Sequence, residues 1–366
     1  MPRSPVIPIS LISSVAALVL PPLLHAQQPE RYVLGDDPVA IYNLVGNVRV
    51  EPGSGNGVVV QMTRGGSEAA KLRVAQGEVG GRSTLRILYP ADRIRWQSDD
   101  GNNSTRLRVR ENGTFGDGDG DHDWGHHDRH GSEEGRRVTI ESGGGLDARA
   151  DLVVQVPRGH RVAVYLAVGS VAATNVEGAL SVDAHGAPVT ATGIKGELSI
   201  DVGSGNVRVS QVEGDLSVDT GSGSVEVSRF HGSSLSIDTG SGEVTGTELD
   251  GDEVNIDTGS GAIRLTAVTA PRVSLETGSG GVVAELKRDV ASLEAETGSG
   301  DIAIRAPASL GAEVEIETSS GDIETDFPLQ VTRHGRDHMV GTIGDGKGTI
   351  AIETGSGQIS LMKGSN

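Results

Sequence analysis

Two groups of side chains in this sequence are of types, and at spacings, that could do chemistry. The first is a row of acids, each leading into a glycine-rich turn: Asp201, Asp219, Asp238, Asp257, Glu276, Glu296 and Glu317. They occupy one phase of a recurring motif, D/E-T-G-S-G-x-V/I. If successive copies stack as strands, the carboxylates lie about 4.8 Å apart. Like charges at that separation repel and raise one another's pKa. Two readings follow. Either water and salt screen the row on an open edge, or cations such as calcium sit between the carboxylates. The spacing is not that of the calcium-binding nonapeptide repeat, whose period is half as long.

The second group is a run of Gly, Asp and His: Asp117, Asp119, Asp121, His122, Asp123, His126, His127, Asp128 and His130. Asp117, Asp119, Asp121 and Asp128 match positions 1, 3, 5 and 12 of an EF-hand loop. Position 6 is His122 rather than glycine, position 12 is Asp rather than Glu, and no flanking helices are evident. The four histidines are types that bind zinc, copper or nickel. The competing reading is a non-specific polar loop. The surrounding segment, 98–136, is nearly free of aliphatic residues after Val109. It buries too little apolar area to offset the entropy of ordering it, so it is expected to be a mobile insertion.

The elements that position these groups are legible as a repeat. The apolar residue after each turn recurs at Val171, Val189, Val207, Val225, Val244, Ile263, Val282, Ile302, Ile323 and Ile359. The spacing drifts from 18 to 21 residues, with a last gap of 36. A fixed period in this range marks a solenoid. The last gap reads as two coils in series, the first without its turn. Within each coil apolar and polar residues alternate, as in Leu198-Ser199-Ile200-Asp201, which is the pattern of a half-buried strand. Ile200, Val218, Ile237, Ile256, Leu275, Ala295, Ile316 and Ile352 are expected to form one inward ladder. Thr220, Thr239, Thr258, Thr277, Thr297 and Thr318 share its parity, where their hydroxyls could bond to each other and to the turns. The glycines are expected to supply positive φ at sharp turns. A phosphate cradle would need a helix behind the loop, and here a strand follows.

The predicted architecture is all-β: a single-stranded parallel β-helix (β-solenoid) with coils of about 18–21 residues, right-handed by the general crossover preference. Ten or more coils would make a rod of roughly 50 Å. Residues 1–26 read as a secretory signal, with Arg3, an apolar stretch and Leu24-His25-Ala26 before Gln27. The alternative is an uncleaved anchor, which the prolines and the short apolar run oppose. Residues 27–97 are expected to be N-terminal coils and a cap, 98–136 the insertion, and 137–366 the regular solenoid with its C-terminal cap. Phe327 is the candidate for plugging the interior at that end.

Composition narrows the function. The 366 residues carry a formal charge of −19 and no cysteine. Disulfide, thiolate and lipobox chemistry are therefore excluded. The acidity opposes binding to nucleic-acid backbones and anionic membranes. No segment after the signal is long and apolar enough to span a bilayer. Aromatics make up 2% of the chain, and the acids form a row rather than a pair. Both features oppose a polysaccharide-acting enzyme, which needs paired carboxylates and sugar platforms.

The Val156-Pro157-Arg158-Gly159 lead-in, the D/E-T-G-S-G coils and the closing segment from Gly341 to Leu361 resemble the bacterial "putative adhesin" family, a domain of unknown function. The resemblance covers roughly Ala40 to Lys363. It implies a β-solenoid in an exported or cell-envelope protein and brings no catalytic residues. The expected function is thus a non-catalytic binding or structural module. Its partner would be a protein or glycan at the envelope, and no cofactor is expected unless calcium or zinc binds the acids or the His/Asp loop.

Overall fold

The computed structural model describes residues 29–35, 37–97, 104–116, 135–335 and 337–364. Residues 1–28 and 117–134, and with them the signal expected over 1–26 and every residue of the His/Asp cluster, lie outside the described residues.

A representative coil shows how the sequence makes the fold. Leu198–Ser204 runs as a strand, turns at Gly203-Ser204-Gly205, and continues as Val207–Glu213. Its inward side chains are Leu198, Ile200, Val202, Val207, Val209 and Val212, all fully buried. Full burial of such a side chain stabilises by about 1.5–3 kcal/mol. The coil has another corner, at Gln211, whose φ is 57°. Equivalent left-handed residues recur at Asn175, Gly193, Arg229, Glu248 and Ala267, with φ between 53° and 70°. After each comes a buried residue: Val176, Ile194, Phe230, Leu249 or Val268. This corner carries mostly non-glycine residues, so no turn signature marks it in the sequence. It fades beyond Ala267, where the register to the next coil shifts between Leu265 and Val268.

Each coil bonds to the next in parallel and in register: Leu198 opposite Leu216, Ile200 opposite Val218, Val207 opposite Val225. The molecule is a parallel β-solenoid, as the periodicity implied. Among the described residues, twelve parallel strands line the side that carries the acids, from Arg82–Leu88 to Ala312–Thr318. At about 4.8 Å per strand, this side is about 50 Å long.

The order of coils at both ends differs from the order in the chain. The last gap of 36 residues does not hold two coils in series. Leu329–His334 and His338–Ile343 instead form an antiparallel hairpin over the end of the rod. The last coil, Gly348–Thr354 and Ile359–Lys363, sits between the coil of Ser292–Thr297 and Ile302–Ala306 and the coil of Ala312–Thr318 and Ile323–Thr325. The inward ladder therefore runs Ala295, Ile352, Ile316 rather than ending on Ile352. Gly348 permits the insertion: a Cβ there would lie 2.3 Å from the Val290 carbonyl oxygen. Phe327 is buried, with Lys363 Nζ 5.5 Å from its ring centre.

The N-terminal end follows the same scheme. Val39–Pro52 is an inner strand, flanked on one side by His160–Thr174 and on the other by Arg82–Leu88 and Arg149–Val156. Antiparallel strands Glu30–Leu34, Val58–Gly65 and Arg73–Val79 close this end. The region is thus only partly made of coils. The segment expected as an insertion loop also contains structure. Thr105–Val109 pairs with Arg136–Glu141, which pairs with Arg93–Arg95, forming a separate three-stranded sheet. Val109, Thr114 and Phe115 are buried, and Phe115 meets Tyr42 edge-on.

Some turn glycines supply the positive φ expected, Gly205, Gly223, Gly300 and Gly357 with φ between 143° and 156°. Several keep ordinary φ, Gly261 among them, while a Cβ on Gly261 would come within 1.9 Å of the Gly242 carbonyl oxygen. The stacked coils approach so closely at this corner that no side chain fits. Positive φ is not the common requirement.

Candidate functional site

The acids expected to align do so. In stacking order the column reads Asp183, Asp201, Asp219, Asp238, Asp257, Glu276, Glu296, Glu353 and Glu317, each opposite the next. Two members escaped the sequence reading. Asp183 lies one period before Asp201, but its Asp-Ala-His-Gly lacks the motif. Glu353 belongs to the inserted coil, so it stands inside the column between Glu296 and Glu317. The far end is closed by His338, opposite Glu317 and 4.0 Å from its carboxylate. The near end runs into Tyr165 and Tyr42, whose rings stack at 4.4 Å and 6°. Arg82 donates to the Tyr165 hydroxyl at 2.9 Å, and burial pushes that phenol up.

The side chains alternate along each strand, so the inward threonines hold this edge in place. Thr277 donates to the Gly261 carbonyl at 2.9 Å, Thr297 to Gly280 at 2.9 Å and Thr354 to Gly300 at 3.0 Å. Thr258 and Thr318 make the same bond to Gly242 and Gly357. Each ties one coil's strand to a neighbouring coil's turn. The hydroxyls do not chain to one another, and those of Thr220 and Thr239 are buried without a partner. The hydroxyl is therefore not what places Thr at every coil. β-branching suits the strand there as well.

Electrostatics distinguish this column from the rest of the surface. At the left-handed corner acids alternate with a lysine or a histidine from coil to coil: Glu177, Lys195, Glu213, His231 and Asp250. Lys195 pairs with Glu213 at 2.9 Å and His231 with Asp250 at 3.0 Å. Arg208 and Glu226, and Arg272 and Glu253, also pair across coils. Among the described residues, Asp238, Asp257, Glu276, Glu296 and Glu353 have no such cationic partner. Burial, then the Glu276 and Asp238 charges, raise the Asp257 pKa. Burial, then Glu294, Glu353 and Glu276, do the same for Glu296. The column is linear: among the described residues no three His, Cys, Asp or Glu side chains converge as a metal would require.

Two clefts lie elsewhere. One of about 400 Å³ sits between Tyr89-Pro90 and the three-stranded sheet, with Arg73, Arg110 and Arg136 at its wall. Arg136 is committed there, donating to the Ala91 carbonyl and the Asp92 carboxylate at 2.6 Å. The other, of about 340 Å³, is a shallow groove along Arg208, Glu226 and Glu243. Neither brings together a nucleophile, a base and an oxyanion donor.

A register-stacked parallel solenoid with a continuous outward column of acids defines a class of repetitive β-rod. The family description Toastrack DUF4097 matches residues 128–362, nearly two thirds of the chain. The chain belongs to that family. No curated protein matches it. Solved structures are similar to it as well, among them the following two. One, "a putative cell adhesion protein" from Clostridium sporogenes ATCC 15579, is 10% identical, with 92% of this chain and 100% of that chain covered at a TM-score of 0.21. The other, a "putative adhesin" from Parabacteroides distasonis ATCC 8503, is 12% identical, with 92% and 96% covered at a TM-score of 0.37.

Proposed function

We propose that the chain is a non-catalytic, exported β-solenoid of the bacterial cell envelope that binds a partner along its side rather than in a pocket. The observation that carries this reading is the acid column, nine carboxylates long and, among the described residues, free of compensating bases over Asp238 to Glu353. Repulsion between neighbours makes such a row costly to the free protein, and a cationic or repetitive partner would relieve it. Family membership and the adhesin names of the similar structures support the reading. So does the leader at 1–26, whose charge and apolar pattern are those of an export signal. Among the described residues no helix is long and apolar enough to cross a membrane.

The test is pull-down of envelope proteins and glycans by the chain and by Asp238→Asn/Asp257→Asn/Glu276→Gln. Partners captured by the native chain and lost by the variant support lateral binding. Equal capture by both would refute it. A divalent cation is the second reading of the same column, supported by the raised pKa values of Asp257 and Glu296. Thermal unfolding in EDTA, in millimolar calcium and in micromolar zinc decides it. A rise of several degrees in calcium that the triple variant lacks supports the column as the site. A rise in zinc alone that disappears on deleting 112–134 moves the site to the His/Asp cluster.

A further inference from the structure

The charge of this molecule is divided unevenly. Residues 162–366 hold 12 basic and 30 acidic residues, a net −18, whereas residues 1–161 hold 19 basic and 20 acidic, a net −1. Five arginines of the first part share one surface. In the three-stranded sheet, Ile94, Val138 and Ile140 face inward and are buried. The alternate residues Arg93, Arg95, Arg106, Arg108 and Arg137 are exposed on the outer face. Arg93 and Arg106 both stand opposite Thr139, and Arg108 stands opposite Arg137. Among the described residues two acids lie close to this face, Glu141, which stands opposite Arg95, and Asp147. Glu141 lies 3.8 Å from Arg93, and the Arg95 charge reaches Asp147. Among the described residues Arg106 and Arg137 have no acidic partner.

We propose that this arginine face docks on the acid column of a second copy of the chain. Both surfaces are β-sheet faces, so both repeat at the same spacing of about 4.8 Å across strands. Arg108 and Arg137, on neighbouring strands, can therefore meet carboxylates of neighbouring coils, and Arg93 and Arg106, two strands apart, carboxylates two coils apart. Arginine's planar fork suits such pairing. The two surfaces are different parts of the chain, so the contact is heterologous. It leaves a free arginine face on one copy and a free column on the other, and further copies add in the same way. Exposed ion pairs are individually weak, so association depends on several acting together and on low salt. The screening length is about 30 Å at 0.01 M salt and about 3 Å at 1 M.

Sedimentation velocity on the purified chain tests this. At 10 mM NaCl the native chain is expected to grow in mass with concentration, and at 1 M NaCl to sediment as a monomer. Arg106→Glu/Arg137→Glu and Asp257→Lys/Glu276→Lys should each remain monomeric at low salt. An equimolar mixture of the two should associate again at low salt, because the native arginine face of one variant meets the native acid column of the other. Circular dichroism checks that both are folded. Should either charge reversal unfold, Arg106→Gln/Arg137→Gln and Asp257→Asn/Glu276→Gln replace them, and both must weaken association at least severalfold. A native chain that stays monomeric at 10 mM NaCl, or a mixture that stays monomeric, overturns the proposal. So does a monomeric chain that binds inorganic polyphosphate through Arg106 and Arg137, since the face would then serve a different anion.

Discussion

At the scale of single residues, parity decides the outcome of a substitution. Ile256 points into the stack at 1% exposure, and Asn255 beside it points out. Ile256→Asp places a charge in an apolar interior and is expected to unfold several coils, while Asn255→Asp leaves the melting temperature within a degree or two. Equal melting curves for the two would overturn the inward ladder. Gly261→Ala is expected to be as damaging as a core change, because its methyl would have to share space with the Gly242 carbonyl. A melting temperature like that of the native chain would show that the coils can separate at this corner. Parity was readable from alternation alone. The reason for the glycines was not, since a close approach between coils involves residues about 19 apart and leaves no local signature.

Protons act at the same scale. The pKa values of Asp257 and Glu296 are higher in the fold than their ordinary values of 3.8 and 4.5. The native state therefore holds protons that the unfolded chain has already lost. Their contribution to stability declines as pH rises from the ordinary values through the raised ones. Asp257→Asn is thus expected to raise the melting temperature by about 1–2 °C at pH 7, with the gain gone at pH 3.5 and reduced in 1 M salt. Asp147 and Asp345 act in the opposite direction. Ser67 hydroxyl and backbone donors hold Asp147 down, and the Lys347 ammonium holds Asp345 down, so their contributions are lost on acidification. A destabilised Asp257→Asn at pH 7 would contradict the repulsion argument.

At the scale of elements, the regular coils from about Tyr165 to Thr325 were legible because each repeats the same alternation and turn. The corner at Gln211 was not, because non-glycine residues in the left-handed region carry no common type. The ends were read less well for a topological reason. Periodicity gives the order of coils along the chain, and the rod stacks its last coil one place earlier than that order implies. Hydrophobic pattern is the same whether a coil lies at an end or inside. The three-stranded sheet was obscured by its polar surroundings, although the Arg-x-Arg steps at 93–95 and 106–108 do alternate. Ending the chain after Lys347 would remove the strands that pair with both neighbouring coils. The expected result is a lower and broader melting transition with faster proteolysis near 312–325. An unchanged transition would mean that the outer coil can close the gap by itself.

At the scale of the whole molecule, stability should spread along the rod as contacts between neighbouring coils rather than reside in one centre. Native-state hydrogen exchange is expected to show slowest exchange over the middle coils, near 216–258, and faster exchange at the capping hairpins. Uniform protection from end to end would contradict a nearest-neighbour account. The candidate site belongs to this scale as well. No single coil contains it, and the sequence revealed it only because seven of its acids share one phase of the motif.

The inserted last coil also sets a schedule. A ribosome delivers residues 312–325 before residues 348–363, yet the later segment must lie beneath the earlier one in the finished stack. The intervening stretch to Lys363 is 38 residues, which takes about 2–8 s to synthesise at 5–20 residues per second. Throughout that interval the coil of Ser292–Thr297 and Ile302–Ala306 has no native neighbour above it. Growth of the rod by simple addition, coil after coil in the order of translation, stops there, and the terminus is completed only when the whole tail is available to be laid in place. A chain that begins to fold only once its whole length is available would meet no such delay.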